Sequence, residues 1–144
     1  MTPLSKVVVY IDGASRGNPG PSGIGVVFVD SEEQPVCEFS RYIGTATNNI
    51  AEYSALICAL QEAERKGYAQ LHVRTDSQLL ARQIAGQYKV KDFELQKLHA
   101  LAKRLMQSFK VCQVDHIPRE RNKLADRAAS RAVSEKNFKT KESA

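Results

Sequence analysis

The stretch KVVVYIDGASRGNPGPSGIGVVFVDSEEQPVCEFSRYI (residues 6–43) decides the fold. Its first six residues, KVVVYI, are a β-branched run that stops at Asp12-Gly13, the pattern of a buried strand. Residues 13–23 are rich in Gly, Pro, Ser and Asn and read as a loop. Residues 24–29 and 36–43 are two further strand candidates, separated by a polar turn at residues 30–35. Three strands in such close succession predict an antiparallel meander.

Downstream the period changes. Tyr53, Leu56, Ile57 and Leu60 recur at helical spacing within residues 49–66. Asn48 or Asn49 is placed to cap this helix and Gly67 to end it. Residues 71–75 predict a fourth strand, closing at Asp76-Ser77. A short helix over 78–85, a turn over 86–91 and a longer amphipathic helix over 93–109 follow. Residues 111–117 predict a fifth strand, and Asn122 is placed to cap a last helix over 123–134. The order β-β-β-α-β-α-α-β-α predicts an α/β fold: a five-stranded mixed sheet, strands 1–3 antiparallel, flanked by helices. One domain is expected over 1–135, with 136–144 as a charged, flexible C-terminal tail.

Bulk properties narrow the class. With 42% apolar and 26% charged residues in 144, the composition is that of one globular domain. No apolar run approaches the roughly 18–20 residues of a membrane span. The first five residues lack the basic start and small-residue cleavage pattern of a signal peptide. Cys37, Cys58 and Cys112 are odd in number and widely spaced, which argues against a disulfide framework or a zinc site. They read as small buried hydrophobes in a reducing, cytoplasmic setting. The net charge of +5 is unevenly spread: residues 1–99 carry 10 Lys and Arg against 11 Asp and Glu, residues 100–144 carry 11 against 5. A one-sided basic surface suits a polyanionic partner, although the lysines at 136–141 read better as a solvated tail.

Four carboxylates stand where chemistry collects. Asp12 and Asp76 end the first and fourth strands, and ligands of open sheets gather beyond the carboxyl ends of strands. Glu52 and Asp126 lie near the starts of two helices that could reach the same edge. Each alone has a plain explanation: a turn at Asp12-Gly13, a capping role at Asp76-Ser77, a helix dipole for Glu52 and Asp126. Two details favour a joint role. Glu52 sits among apolar residues in NNIAEYSAL, and Asp76 directly follows a buried-looking strand. Carboxylates gathered at the rim of a core repel one another and need cations to stay ionised. Oxygen-only ligands suit Mg²⁺ or Mn²⁺, and two such ions can clamp both the attacking and the leaving oxygen of an in-line phosphoryl displacement.

Four segments resemble, in order, the motifs of the type 1 ribonuclease H family. They are DGASRGNPGPSGIG (residues 12–25), TNNIAEYSAL (47–56), TDSQ (75–78) and PRERNKLADRAA (118–129). The resemblance covers roughly residues 6–134 and implies a ribonuclease-H-like fold. It implies endonucleolytic hydrolysis of the RNA strand of RNA–DNA hybrids, leaving 5′-phosphate and 3′-hydroxyl ends. The chain most resembles the compact form of the family, without the basic protrusion of larger members, and RNA–DNA junctions and double-stranded RNA are further substrates of some compact members. The family pattern assigns Asp12, Glu52, Asp76 and Asp126 as catalytic ligands of two Mg²⁺ ions, with Mn²⁺ as a substitute and the Gly13 backbone nearby. One ion would activate water and the other stabilise the leaving 3′ oxygen. The same likeness places Arg16, Gly17, Asn18, Thr47, Asn48, Asn49, Gln78 and Asn122 at the hybrid. A monomer without membrane attachment is expected.

The chain departs from the family in two places. Larger bacterial members carry an extra basic helix and loop after the third motif, whereas only GQYKVK (residues 86–91) stands here, with Lys89 and Lys91 as a remnant. No tryptophan is available to line a DNA-strand channel. Weaker hybrid affinity is therefore expected, partly offset by Lys103, Arg104, Lys110, Arg119, Arg121 and Lys123. The G-H-x-G loop that supplies a catalytic His in many members is also absent. His116 has a similar offset from Asp126 but belongs to a strand pattern, so the PRE segment makes Arg119 the preferred aid to product release. The alternative to an enzyme is a non-catalytic nucleic-acid-binding module on the same fold. The presence of all four carboxylates argues against it.

Overall fold

The computed structural model describes residues 4–142. Strands β1 (Leu4–Ser15), β2 (Gly20–Val29) and β3 (Pro35–Ala46) form the expected antiparallel meander. Helix α1 (Asn48–Lys66) leads into β4 (Tyr68–Thr75), then α2 (Gln78–Ile84), α3 (Phe93–Met106) and β5 (Val111–His116). A 3₁₀ turn at Arg119–Arg121 precedes α4 (Lys123–Glu135) and β6 (Phe138–Glu142). The sheet order is β5-β4-β1-β2-β3-β6, with β4 parallel to both β1 and β5.

The first strand is longer than its apolar run. Beyond Asp12 it stays paired with β2 as far as Ser15 opposite Ser22, so the Gly/Ser-rich stretch expected as a loop is mostly strand. The turn is confined to residues 16–19. Small residues there form the ladder because β2 supplies its hydrogen bonds, a gain that local composition does not encode.

The five-stranded expectation is corrected to six. Lys136 adopts a left-handed conformation at the end of α4, and residues expected as a flexible tail turn back to pair antiparallel with β3 as far as Glu142 opposite Cys37. Residues 143 and 144 of that expected tail lie outside the described residues. FKTKE gives no apolar alternation because every residue of β6 is exposed; the unpaired edge of β3 dictates the strand.

Two hydrophobic clusters hold the layers. Val7, Val9 and Ile11 of β1 point to one face, where Leu56 and Leu60 of α1 and Leu95 of α3 complete the main core. Val8 and Tyr10 point to the other, against Val27, Val29 and Ala125. On this second face α4 presents Ala125, Ala128, Ala129 and Ala132, all buried. Its close approach requires glycine: a Cβ on Gly25 would collide with the backbone of Ala125. No helix among the described residues is long and apolar enough to cross a membrane.

Candidate active site

Sheet register brings two carboxylates side by side. Parallel pairing of β1 with β4 ends at Ile11 opposite Thr75, so Asp12 and Asp76 are the next residues on adjacent strands. Glu52 joins them from α1, whose N-terminus is capped by Thr47: its Oγ1 accepts from Ile50 N at 3.2 Å. Gly13 permits the approach, since a Cβ there would strike the backbone of Ala51 and Glu52. The Gly13 N–H donates to Glu52 Oε1. Oxygens of Asp12, Glu52 and Asp76 lie within 4.8 Å of one another. Asp126, one turn into α4, lines the same cavity of about 540 Å³ from the opposite layer.

This arrangement is electrostatically costly. Burial pushes the Asp12 carboxyl far above the ordinary carboxylate range, and the charges of Glu52, Asp76 and Asp126 push it further. Burial also raises Glu52, against the Gly13 N–H, which favours its ionised form. Among the described residues none of the four carboxylates forms an ion pair with a basic side chain. A cluster of hard oxygen donors, crowded and without a cationic partner, fits a divalent ion such as Mg²⁺ or Mn²⁺.

The other expected residues divide into groups. Gly13, Arg16, Asn48, Asn49 and Arg119 line the carboxylate cavity. Arg16 also reaches across to α4, donating to Ser134 Oγ at 2.6 Å. Asn18 holds the 16–19 turn against α1: its Oδ1 accepts from Asn48 N at 3.0 Å. Gly17, Asn18 and Thr47 lie outside the cavity lining. Gln78 instead borders a separate hollow of about 520 Å³ with Arg82, Tyr88 and His116. His116 is thus in a different hollow from the carboxylates.

Asn122 departs most from expectation. It makes no side-chain cap on α4, is only 1% exposed and does not line the cavity. Its Nδ2 donates to Ile11 O at 2.8 Å and to Asp76 Oδ2 at 3.0 Å. Sequence reasoning also missed Ser15, Ser77, Ser130 and Val133, which line the cavity. Ser130 and Val133 had a usable signal, being four and seven residues after Asp126 on one helix face.

Comparisons with known proteins agree with this geometry. A family model described as "Reverse transcriptase-like" matches residues 10–132. The chain is 41% identical over 130 residues to Ribonuclease HI of Halobacterium salinarum, covering 90% of this chain and 65% of that protein. It is 43% identical over 129 residues to the Bifunctional protein Rv2228c of Mycobacterium tuberculosis, covering 89% of this chain but 35% of that protein. The chain therefore spans less than two thirds of the length of these curated relatives. The crystal structure of the Halobacterium salinarum RNase H1 superposes with a TM-score of 0.87, at 41% identity, covering 90% of this chain and 98% of that one. LC11-RNase H1 in complex with an RNA/DNA hybrid gives 0.86, at 40% identity, with 90% and 98% covered.

Proposed function

The chain belongs to the type 1 ribonuclease H family, and from that premise we propose that it hydrolyses the RNA strand of RNA–DNA hybrids endonucleolytically. The observation that carries this reading is the convergence of Asp12, Glu52 and Asp76 within 4.8 Å, in a cavity that Asp126 shares. The hybrid bound by LC11-RNase H1 supports the choice of substrate.

In this reading Asp12, Glu52, Asp76 and Asp126 hold two Mg²⁺ ions. When bound, the ions supply Lewis-acid stabilisation of the attacking and leaving oxygens at the scissile phosphate, giving 5′-phosphate and 3′-hydroxyl products. The protein's own groups do the rest. The Gly13 N–H holds the Glu52 carboxylate in place and favours its ionised form against the effect of burial. Arg16, Asn48 and Asn49, exposed at the cavity mouth, hold the duplex and meet the ribose 2′-hydroxyls that distinguish RNA from DNA. Arg119, also exposed at the mouth, neutralises the departing phosphate. Arg119 is preferred to His116 for this role because His116 borders a different hollow from the carboxylates.

The test is incubation of labelled RNA–DNA hybrid, double-stranded RNA and DNA duplex with the protein, in Mg²⁺ and in Mn²⁺. Cleavage confined to RNA, strongest in the hybrid, is expected. An intact hybrid under both metals would sink the enzyme reading and leave a binding module. Activity that survives in Asp12→Asn or Asp76→Asn would sink the site assignment.

A further inference from the structure

We infer that Asn122 is a positioning residue that locks four parts of the site together and sets its affinity for divalent metal. The inference rests on the reading of the carboxylates as a metal site. Four bonds meet at this one residue. Its side-chain Nδ2 donates to Ile11 O at 2.8 Å, the carbonyl next to Asp12, and to Asp76 Oδ2 at 3.0 Å. Its backbone carbonyl accepts from Asp126 N at 3.0 Å, and its backbone N–H donates to Arg119 O at 3.0 Å. The side chain of Asn122 therefore fixes the end of β1 and the Asp76 carboxylate, and its backbone ties them to the first turn of α4 and the 3₁₀ turn carrying Arg119.

The amide is placed for its donors. Its Oδ1 is buried and has no hydrogen-bond partner among the described residues. An orphan buried acceptor destabilises a fold, so the two donated bonds account for an amide at this position. A bond to one oxygen of Asp76 fixes that carboxylate's rotation and leaves its second oxygen for the cavity. Partners that orient a ligand in this way typically change metal affinity 10- to 100-fold when lost, as an order of magnitude. Asn122 does this without touching substrate, since it lies outside the cavity lining.

The test compares wild type with Asn122→Asp and Asn122→Ser. Asp keeps the shape but turns the donor into a fifth carboxylate facing Asp76 and the Ile11 carbonyl. Ser keeps one donor on a shorter arm. Mg²⁺ and Mn²⁺ binding to the metal-free protein is read by titration calorimetry, and the Mg²⁺ dependence of hybrid cleavage by kinetics. Asn122→Asp should weaken metal binding and raise the half-saturating Mg²⁺ by about 10- to 100-fold. kcat should fall while KM for the hybrid stays within about twofold, because substrate contacts are untouched. Asn122→Ser should fall between the two. Metal affinity equal to wild type in Asn122→Asp, with only a lower Tm, would overturn the inference. Should that variant not fold, wild-type affinity in Asn122→Ser would overturn it equally. Failure of the functional reading looks different: wild type binds metal but leaves the hybrid intact, and the calorimetric comparison still decides the role of Asn122.

Discussion

The backbone N–H of Gly13 donates to the carboxylate of Glu52, joining a strand to a helix 39 residues further along the chain. Both the bond and the contact of α1 with β1 depend on Gly13 having no side chain, because a Cβ would meet the backbone of Ala51 and Glu52. Gly13→Ala should push the first turn of α1 outward. Overpacking of this kind costs about 1–3 kcal/mol, and displacing a ligand by an ångström costs on the order of 100-fold in rate. Urea unfolding and hybrid-cleavage kinetics check both; an alanine variant with wild-type kcat would show that α1 has room to give.

The carboxylate cluster should cost stability that function requires. Asp12 is buried beside Glu52 and Asp76, and each charge raises its pKa. Asp12→Asn should therefore raise Tm in EDTA, worth up to about 2 kcal/mol, while lowering cleavage by about 100- to 1000-fold or more. Added Mg²⁺ should stabilise wild type more than the variant. Thermal unfolding with and without metal separates these effects, and an unchanged or lower Tm in EDTA would contradict the proposed repulsion.

How much of this was legible in the sequence depends on which force placed each residue. Asp12 is visible because it follows an apolar β-branched run and Asp76 because it ends a buried-looking strand, and parallel register sets them side by side. Glu52 was visible by its apolar surroundings. Asn122 was misplaced: a polar residue before a helix looks like a cap, and nothing local reveals that its amide turns inward to Ile11 and Asp76. Residues 138–142 were hidden for the opposite reason, having no buried face of their own and pairing only because β3 leaves an edge. Ser15 reads as loop by composition and is strand by pairing with Ser22.

pH dependence follows from the same carboxylates. Asp12 and Glu52 have folded-state pKa values raised above their unfolded values, foremost by burial. The folded state therefore binds their protons more tightly. The stability this contributes is fully present below the unfolded carboxylate pKa of about 4. It is lost as pH rises through the raised folded values. The contribution of these two groups should therefore make metal-free protein less stable at pH 8 than at pH 5, and Mg²⁺ should restore more at pH 8. Denaturant titrations at both pH values, in EDTA and in Mg²⁺, measure the difference; a Mg²⁺ effect that is the same at both would argue against these shifts.

The edge strand should matter for stability and little for chemistry. β6 is fully exposed, and its described side-chain ion pairs are Lys139 with Glu135 and Glu142 with Lys66 at 3.6 Å. Surface pairs of this kind contribute about 0–1 kcal/mol each. Deleting residues 137–144 should cost no more than about 3 kcal/mol and leave the carboxylate cavity intact, since none of its lining residues falls there. Glu142 also sits 3.8 Å from the Cys37 thiol, which burial pushes up to about 11. Truncation should uncover that thiol, so faster labelling of Cys37 with unchanged kcat is the expected pair of results.

Gly25 tests whether the second layer positions Asp126. The strand β2 passes beneath α4 so closely that a Cβ on Gly25 would collide with the carbonyl oxygen of Ala125, one residue before Asp126. The alanines on that face of α4 have no flexible end to retract, so the backbone of the helix itself must move. Gly25→Ala should then shift Asp126 away from Asp12, Glu52 and Asp76 while the latter three stay bound to β1, α1 and β4. Loss of one ligand from four predicts weaker Mg²⁺ binding and slower cleavage, by about 100-fold for a displacement of an ångström, with KM for the hybrid nearly unchanged. Gly44→Ala is the control: a Cβ there meets nothing, although its φ of +81° makes the backbone strained. It should lower Tm without altering the Mg²⁺ dependence. If both variants lose stability and neither changes Mg²⁺ dependence, α4 does not set the metal site, and Asp126 acts only through the charge it adds to the cavity.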